Sequence, residues 1–144
     1  MRVAEKHMRV GAIDIGSNSV RLLVADVPSA GSPGTLVTVA RAGESCRLAR
    51  GLDQTGKVDE EMAERAAVLA AEFARRARSL GAVHTVAGAT AALRRASNGA
   101  DVAALIGART GLPVRILTGE EEARLVYEAV LSGLGGGASR SACI

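Results

Sequence analysis

Apolar residues near the start of the chain fall into short runs separated by polar segments. The runs over residues 10–15 and 20–27 flank a Gly-Ser-Asn-Ser segment at 16–19, which predicts a β-hairpin. A loop rich in proline, glycine and serine follows over 28–34, and residues 35–42 have the pattern of a third strand. The chain is therefore predicted to begin with three strands in a meander.

A long amphipathic helix is predicted next, because apolar residues recur at steps of three and four from Met62 to Leu80. Asp59 stands where it can cap the first turn, and Gly81 follows the last apolar residue. Arginines gather toward the end of this segment, where the helix dipole favours positive charge. These signals predict a helix that begins after Asp59 and ends before Gly81.

Strands and helices alternate in the second half of the chain. The pattern predicts a strand over 84–87, a helix over 101–109, a strand over 114–117 and a helix that opens at Thr118. The full order is βββαβαβα. Such an order predicts an α/β fold with a mixed sheet, whose later strands are joined by helical crossovers.

The last residues have a different composition. Residues 133–139 are rich in glycine and predict a connector, and residues 140–144 resemble the start of another strand. A lone strand cannot satisfy its own backbone hydrogen bonds, so it would have to pair with something else. We therefore expect one lobe over 9–134, with a linker and the first strand of a missing second lobe over 135–144.

The composition is that of a soluble single domain. The 144 residues are 48% hydrophobic and 23% charged, and no apolar run approaches the roughly 20 residues of a membrane-spanning helix. Met1 to Met8 lack the apolar stretch of a secretory signal, so a cytoplasmic location is expected. Cys46 and Cys143 lack metal-type spacing and are expected to be free thiols.

The charge balance is compatible with an anionic ligand, and the alternative is that basic residues such as Arg65, Arg75, Arg76 and Arg78 only solvate one helix. The formal net charge is +3 and most basic residues are arginine, which makes bidentate contacts to phosphate. Nucleic acid is not the expected partner, because Phe73 and Tyr127 are the only aromatic residues and base-stacking platforms are missing.

The first segment that could carry chemistry is the hairpin turn. Asp14 comes at the end of a buried strand, and Gly16, Ser17, Asn18 and Ser19 follow it with backbone N–H groups and hydroxyls that suit phosphate. Because a carboxylate repels phosphate unless a cation stands between them, Asp14 implies Mg²⁺. An ordinary hairpin, with turn residues chosen for backbone geometry, is the alternative interpretation.

The second segment lies where a strand runs out into small residues before a basic turn. Thr90 and Arg94 could bind an oxyanion at this point. The alternative is structural, because small residues also let a helix pack close to a sheet.

The third segment is the run of glutamates that opens the last helix. Thr118 and Glu121 have the spacing of a capping box, so Glu121 is predicted to be structural. Glu122 lies at the edge of an apolar arc that includes Val126, and there it could act as a general base on water. The alternative is that these carboxylates only complement the helix dipole.

Taken together, these motifs resemble those of the exopolyphosphatase and guanosine pentaphosphate phosphatase family, Ppx/GppA. The similarity spans residues 9–134 and lies in Asp14 to Ser19 with Arg21-Leu22-Leu23, in Thr90 with Leu93-Arg94, and in Gly119 followed by Glu121 to Leu125. The resemblance implies one lobe of an actin-like (ribonuclease H-like) ATPase fold. It further implies release of a terminal phosphate from inorganic polyphosphate, or conversion of guanosine pentaphosphate to tetraphosphate.

The resemblance also implies roles for individual residues. Glu122 would activate the attacking water, Asp14 would help to hold magnesium, and the 16–19 turn with Arg94 would bind phosphate. Ala91 and Arg95 depart from the family's usual residues, which puts the phosphate contacts of that turn in doubt.

The family's second lobe carries an Asp-x-Gly-Gly-Gly-Ser loop that this sequence lacks. We therefore expect a fragment with little or no phosphatase activity alone. An actin-like sugar or acetate kinase lobe, or a non-catalytic lobe that binds nucleotide or phosphate, are the alternative functions. No membrane partner is expected, and a homodimer remains open.

Overall fold

The computed structural model describes residues 7–29 and 34–135 of the chain. Its strands are β1 (His7–Ile15), β2 (Ser19–Pro28), β3 (Val37–Ser45), β4 (His84–Ala89) and β5 (Val114–Ile116). Its helices are α1 (Leu52–Thr55), α2 (Glu60–Ser79), α3 (Ala91–Arg95), α4 (Gly99–Thr110) and α5 (Gly119–Gly135). Three strands followed by alternating helices and strands confirm the predicted order of the main elements.

The strands form one mixed five-stranded sheet in the order β3-β2-β1-β4-β5. β1, β2 and β3 pair antiparallel, as a meander requires. β4 runs parallel to β1, and β5 runs parallel to β4, which requires crossover connections that α2 and α4 supply. Because Ile15 pairs with Ala89, the carboxyl ends of β1 and β4 meet at one edge of the sheet.

The core lies on the face of the sheet that α2 and α4 cover. Ile13 and Ile15 point into it, whereas Asp14 between them points to the opposite face, since side chains alternate along a strand. The buried side of α2 is rich in alanine, which lets the helix approach the sheet closely. At Gly11 an added Cβ would lie 3.1 Å from Ala77 Cβ and 2.9 Å from Thr85 Oγ1, so that position has no room for a side chain.

The predicted limits of the long helix are confirmed. The Asp59 carboxylate accepts hydrogen bonds from the backbone N–H groups of Glu61 and Met62, which satisfies donors that the first turn leaves unpaired. Gly81 follows the helix with φ of 89°, a left-handed conformation that glycine adopts without steric cost.

Several details differ from the sequence-based expectations. β3 lies two to three residues later than predicted, because its pairing with β2 continues as far as Ser19 and Ser45. The short helices α1 and α3 were not predicted, since four or five residues show no period. Residues 133–135, expected in a connector, belong to α5; glycine weakens a helix by about 1 kcal/mol per residue but does not forbid one.

Some predictions fall outside the described residues. These are the remainder of the glycine-rich connector, the strand over 140–144 and the free thiol of Cys143. Cys46 is buried and free, as expected. Within residues 7–29 and 34–135, no helix is both long and apolar enough to cross a membrane.

Candidate active site

A cavity of about 750 Å³ lies between α5 and the face of the sheet that α2 and α4 leave uncovered. Much of its wall is apolar and includes the exposed side chains of Val86, Leu125 and Val126. Asp14 from β1 and Glu122 from α5 line the same cavity. An apolar concave surface with a few convergent polar groups is typical of a small-molecule site.

The pKa of Asp14 depends on burial and on the charges of two neighbouring residues, one of which is Glu122. Asp14 lies one residue before the end of β1, opposite Arg21 of β2. Partial burial raises the pKa of Asp14; the positive charge of Arg21 lowers this pKa, and the negative charge of Glu122 raises it. The two carboxylates are therefore close enough to interact electrostatically. Their mutual repulsion favours a cation or a proton between them.

The glutamates at the start of α5 take different positions, as predicted. The Glu121 carboxylate accepts from Thr118 N at 2.9 Å, and Glu121 N donates to Thr118 Oγ1 at 3.0 Å, which completes the capping box. Glu121 also pairs with Arg115. Glu121 is thus occupied at the helix terminus, whereas Glu122 faces the cavity.

Arg94 holds Glu122 in place. Its Nη1 donates to the backbone oxygen of Leu117 at 2.8 Å and to Glu122 Oε2 at 3.3 Å. The guanidinium thereby links α3 to the residue that follows β5 and to the first turn of α5. It reaches the base expected to activate water, and it has further N–H donors that could bind phosphate.

The turn over residues 16–19 is anchored through its carbonyl oxygens. Asn18 O accepts from Cys46 N at 2.8 Å and from Arg47 N at 3.1 Å, and Ser17 O accepts from Ala49 N at 3.0 Å. Cys46 Sγ lies 3.7 Å from Gly16 O as a weak donor. We call residues 46–49 the anchor segment, because it binds successive carbonyl groups of the turn.

This anchoring decides which way the amides of the turn point. All peptide bonds of the described residues are trans, so a carbonyl and the next N–H point in opposite directions. With the oxygens of Gly16 and Ser17 directed at the anchor segment, the N–H groups of Ser17 and Asn18 point away from it. Neither amide has a hydrogen-bond partner among the described residues. Two adjacent unpaired amides are suited to binding an oxyanion.

Thr90 links the turn to the cavity. Its N–H donates to Ile15 O at 3.2 Å, and its carbonyl accepts from Arg94 N at 3.1 Å. Thr90 also lines the cavity. One hydrogen bond therefore joins the end of β1, where the turn begins, to Thr90, which directly precedes α3.

The structure thus brings the predicted residues to one edge of the sheet in two groups. Asp14, Thr90 and Glu122 line the cavity, and Arg94 joins them through its contact with Glu122. Gly16 to Ser19 do not line the cavity but begin directly after β1, beside Thr90. Arg95, the departure from the family pattern, pairs with Asp53 instead.

Sequence reasoning did not find the anchor segment as a supporting element. Arg47-Leu48 belongs to the stretch similar to the family, but no periodicity in the sequence indicates that residues 46–49 bind the turn. The contact joins residues about 30 positions apart. The backbone of Arg47 is left-handed, with φ of 53°. The residue type gives no indication of this conformation, because arginine rarely adopts it.

The donors in the cavity are compatible with magnesium bound together with a substrate. Among the described residues there is no cluster of three or more His, Cys, Asp or Glu side chains that could hold a metal alone. Magnesium is often bound by one or two carboxylates, with water and substrate phosphates as the other ligands. Asp14 beside Glu122 fits that pattern, and magnesium at Asp14 stays a prediction.

The sheet order, the crossovers and the cavity at the carboxyl ends of β1 and β4 define one lobe of an actin-like fold. The structure is similar to that of the Ppx/GppA family member from Aquifex aeolicus, with a TM-score of 0.82 and 31% identity over 91% of this chain and 42% of that one. It is also similar to an exopolyphosphatase from Cytophaga hutchinsonii, with a TM-score of 0.75 and 28% identity over 85% of this chain and 38% of that one.

Sequence comparison agrees with the structural similarity. The chain is 38% identical over 133 residues to exopolyphosphatase 1 of Mycobacterium tuberculosis and 36% identical to that of Mycobacterium leprae. Each match covers 92% of this chain and 38% of the relative. The Ppx/GppA phosphatase family matches residues 23–143. The chain therefore belongs to the Ppx/GppA phosphatase family, and it spans about two fifths of the length of these relatives.

Proposed function

We propose that this chain supplies the catalytic base and a phosphate-binding turn of a phosphoanhydride hydrolase that releases terminal phosphate from inorganic polyphosphate. The observation that carries the proposal is the position of Glu122, which shares a cavity with Asp14 and contacts Arg94. The similarity to exopolyphosphatases supports the choice of substrate.

In the proposed reaction Glu122 accepts a proton from water while the water oxygen attacks the terminal phosphorus. The bond from that phosphorus to the bridging oxygen breaks, and the bridging oxygen keeps the electron pair. The products are orthophosphate and a chain that is one unit shorter. Such a transfer needs positioning and charge neutralisation more than a covalent intermediate.

The other residues orient the substrate and balance its charge. Arg94 has N–H donors left for the phosphate oxygens after its contacts with Leu117 and Glu122. The amides of Ser17 and Asn18 would bind another phosphate oxygen. Magnesium held by Asp14 would neutralise charge on the phosphates. Through its two backbone hydrogen bonds, Thr90 would hold the turn and Arg94 in a fixed position relative to each other.

Guanosine pentaphosphate is the second proposed substrate, because its conversion to tetraphosphate breaks the same kind of linkage. The 144 residues alone are proposed to have little or no phosphatase activity, since the activities of the relatives belong to much longer chains. A cytoplasmic location, a homodimer and the absence of nucleic-acid and membrane partners stay predictions.

The test is Glu122→Gln in the full-length gene product, with phosphate release measured on polyphosphate and on guanosine pentaphosphate. Loss of the base is expected to lower kcat about 10²- to 10⁴-fold while polyphosphate still binds. Glu120→Gln is the matched control, because Glu120 lies exposed in the same helical turn and the change removes the same charge. Its kcat is expected to match the unmodified enzyme.

Retention of normal kcat by Glu122→Gln would contradict the mechanism. Transfer of phosphate from ATP to an acceptor other than water would instead favour a kinase. Binding of polyphosphate without any phosphate release by the unmodified protein would favour a non-catalytic lobe.

A further inference from the structure

Arg47 has a backbone conformation that its residue type adopts at a cost. In the described part of the chain it is the only non-glycine residue with positive φ, at 53°. Residues with a Cβ atom are disfavoured in this left-handed region, whereas glycine enters it freely. If only the backbone geometry mattered here, glycine would be the better residue.

The backbone of Arg47 is fixed against the phosphate-binding turn. Its N–H donates to Asn18 O at 3.1 Å, and its carbonyl accepts from Arg50 N at 3.0 Å. Cys46 and Leu48 on either side are fully buried, whereas Arg47 is exposed. The long Arg47 side chain therefore starts beside the turn and extends toward solvent.

The guanidinium of Arg47 has no ion pair or hydrogen-bond partner among the described residues. Arg65 and Arg94 are engaged within the fold, since Arg65 donates to Ser45 O and Arg94 contacts Glu122. The Arg50 side chain is also unpaired among the described residues, but its backbone is not left-handed. Arg47 is attached on the carbonyl side of the turn, so only its long exposed side chain can bring a cation to the side that the amides of Ser17 and Asn18 face. A strained residue with such an unpaired cation indicates that the side chain has a use outside the fold.

We propose that Arg47 is a substrate-binding residue whose guanidinium contacts a phosphate of the polyphosphate chain beyond the one that Glu122 attacks. This inference rests on the proposed function and adds a second phosphate contact to the same site. Arg94 acts on the terminal phosphate, whereas Arg47 binds a following one. The enzyme would therefore distinguish a chain of several phosphates from orthophosphate through Arg47.

The test compares Arg47→Gly and Arg47→Lys with Arg50→Gln in the full-length gene product. Arg47→Gly keeps the left-handed backbone and removes the guanidinium, so its Tm is expected to stay unchanged or to rise by up to about 3 °C. Its KM for long-chain polyphosphate is expected to rise about tenfold with kcat changed less than about threefold. Arg47→Lys is expected to restore part of the lost affinity. Inhibition by orthophosphate is expected to stay within about twofold, because orthophosphate is too short to reach Arg47.

Arg50→Gln removes the same charge from the same loop and is expected to leave KM within about twofold of the unmodified value. An equal rise in KM for Arg50→Gln would overturn the proposal in favour of general electrostatic attraction. An unchanged KM for Arg47→Gly, or a fall in kcat and Tm without a change in KM, would also overturn it. In each of these cases the unmodified enzyme still hydrolyses polyphosphate, so the proposed function survives. If the unmodified protein neither binds nor hydrolyses polyphosphate, both proposals fail.

Discussion

Arg94→Gln separates the role of Arg94 at the site from its role in the fold. In the structure a single nitrogen, Nη1, contacts both Leu117 O and Glu122 Oε2. The substitution removes this contact. Glu122 is then no longer held in the position in which it can accept a proton from water. It also removes the cation proposed to contact the terminal phosphate.

The expected magnitudes differ strongly between stability and activity. The side chains of Arg94 and Glu122 are 33% and 42% exposed, so water replaces much of what the ion pair provides. We expect a stability loss of about 1 kcal/mol, which lowers Tm by roughly 2–4 °C. Removal of a preorganised group that stabilises developing charge lowers turnover about 10²- to 10³-fold, which corresponds to about 3–4 kcal/mol in the transition state.

The assay measures Tm and kcat/KM for polyphosphate in the full-length gene product. Arg95→Gln is the matched control, because Arg95 lies next along the same helix, carries the same charge and pairs with Asp53 away from the cavity. Its kcat/KM is expected to stay within about threefold of the unmodified value. The reasoning is refuted if Arg94→Gln loses less than about fivefold in kcat/KM, or if Arg95→Gln loses as much.

Two further predictions concern stability. Burial raises the pKa of Asp14, so its charged form costs stability as pH rises through that raised pKa. Asp14→Asn should therefore raise Tm near neutral pH and lose that gain at about pH 3, where Asp14 is protonated. The same substitution should abolish magnesium-dependent turnover. A lower Tm at neutral pH would contradict this. At Gly99 an added Cβ would lie 1.8 Å from Leu93 O, so Gly99→Ala should cost about 2–3 kcal/mol in urea unfolding. Gly43→Ala, whose Cβ would meet Arg21 Cγ at 3.6 Å, is the control, and equal costs would refute the steric argument.

Local signals in the sequence were sufficient for the main elements. The apolar period of α2 and the cap at Asp59 act within a few residues of each other, and so does the capping box of Thr118 and Glu121. The same locality explains the failures. α1 and α3 are too short to show a period, and the glycines at the end of α5 were assigned by propensity although the helix continues through them.

The candidate residues themselves came from motif and resemblance, but their mutual arrangement could not. Arg94 meets Glu122 across 28 positions of sequence, and Thr90 binds the end of β1 only because β4 runs parallel to it. Periodicity and residue type contain no information about such contacts, because these contacts depend on how crossovers return the chain to the sheet.

The amino-acid sequence by itself determined the class of fold, the family and the side chains available for phosphate chemistry. Only the tertiary structure decided that the carbonyls of Gly16, Ser17 and Asn18 face residues 46–49 and that the amides of Ser17 and Asn18 therefore point outward. The physical reason is that hydrogen bonds within a helix or a turn are specified by neighbouring residues. The direction of a loop's free donors is set by whichever distant segment occupies its acceptors.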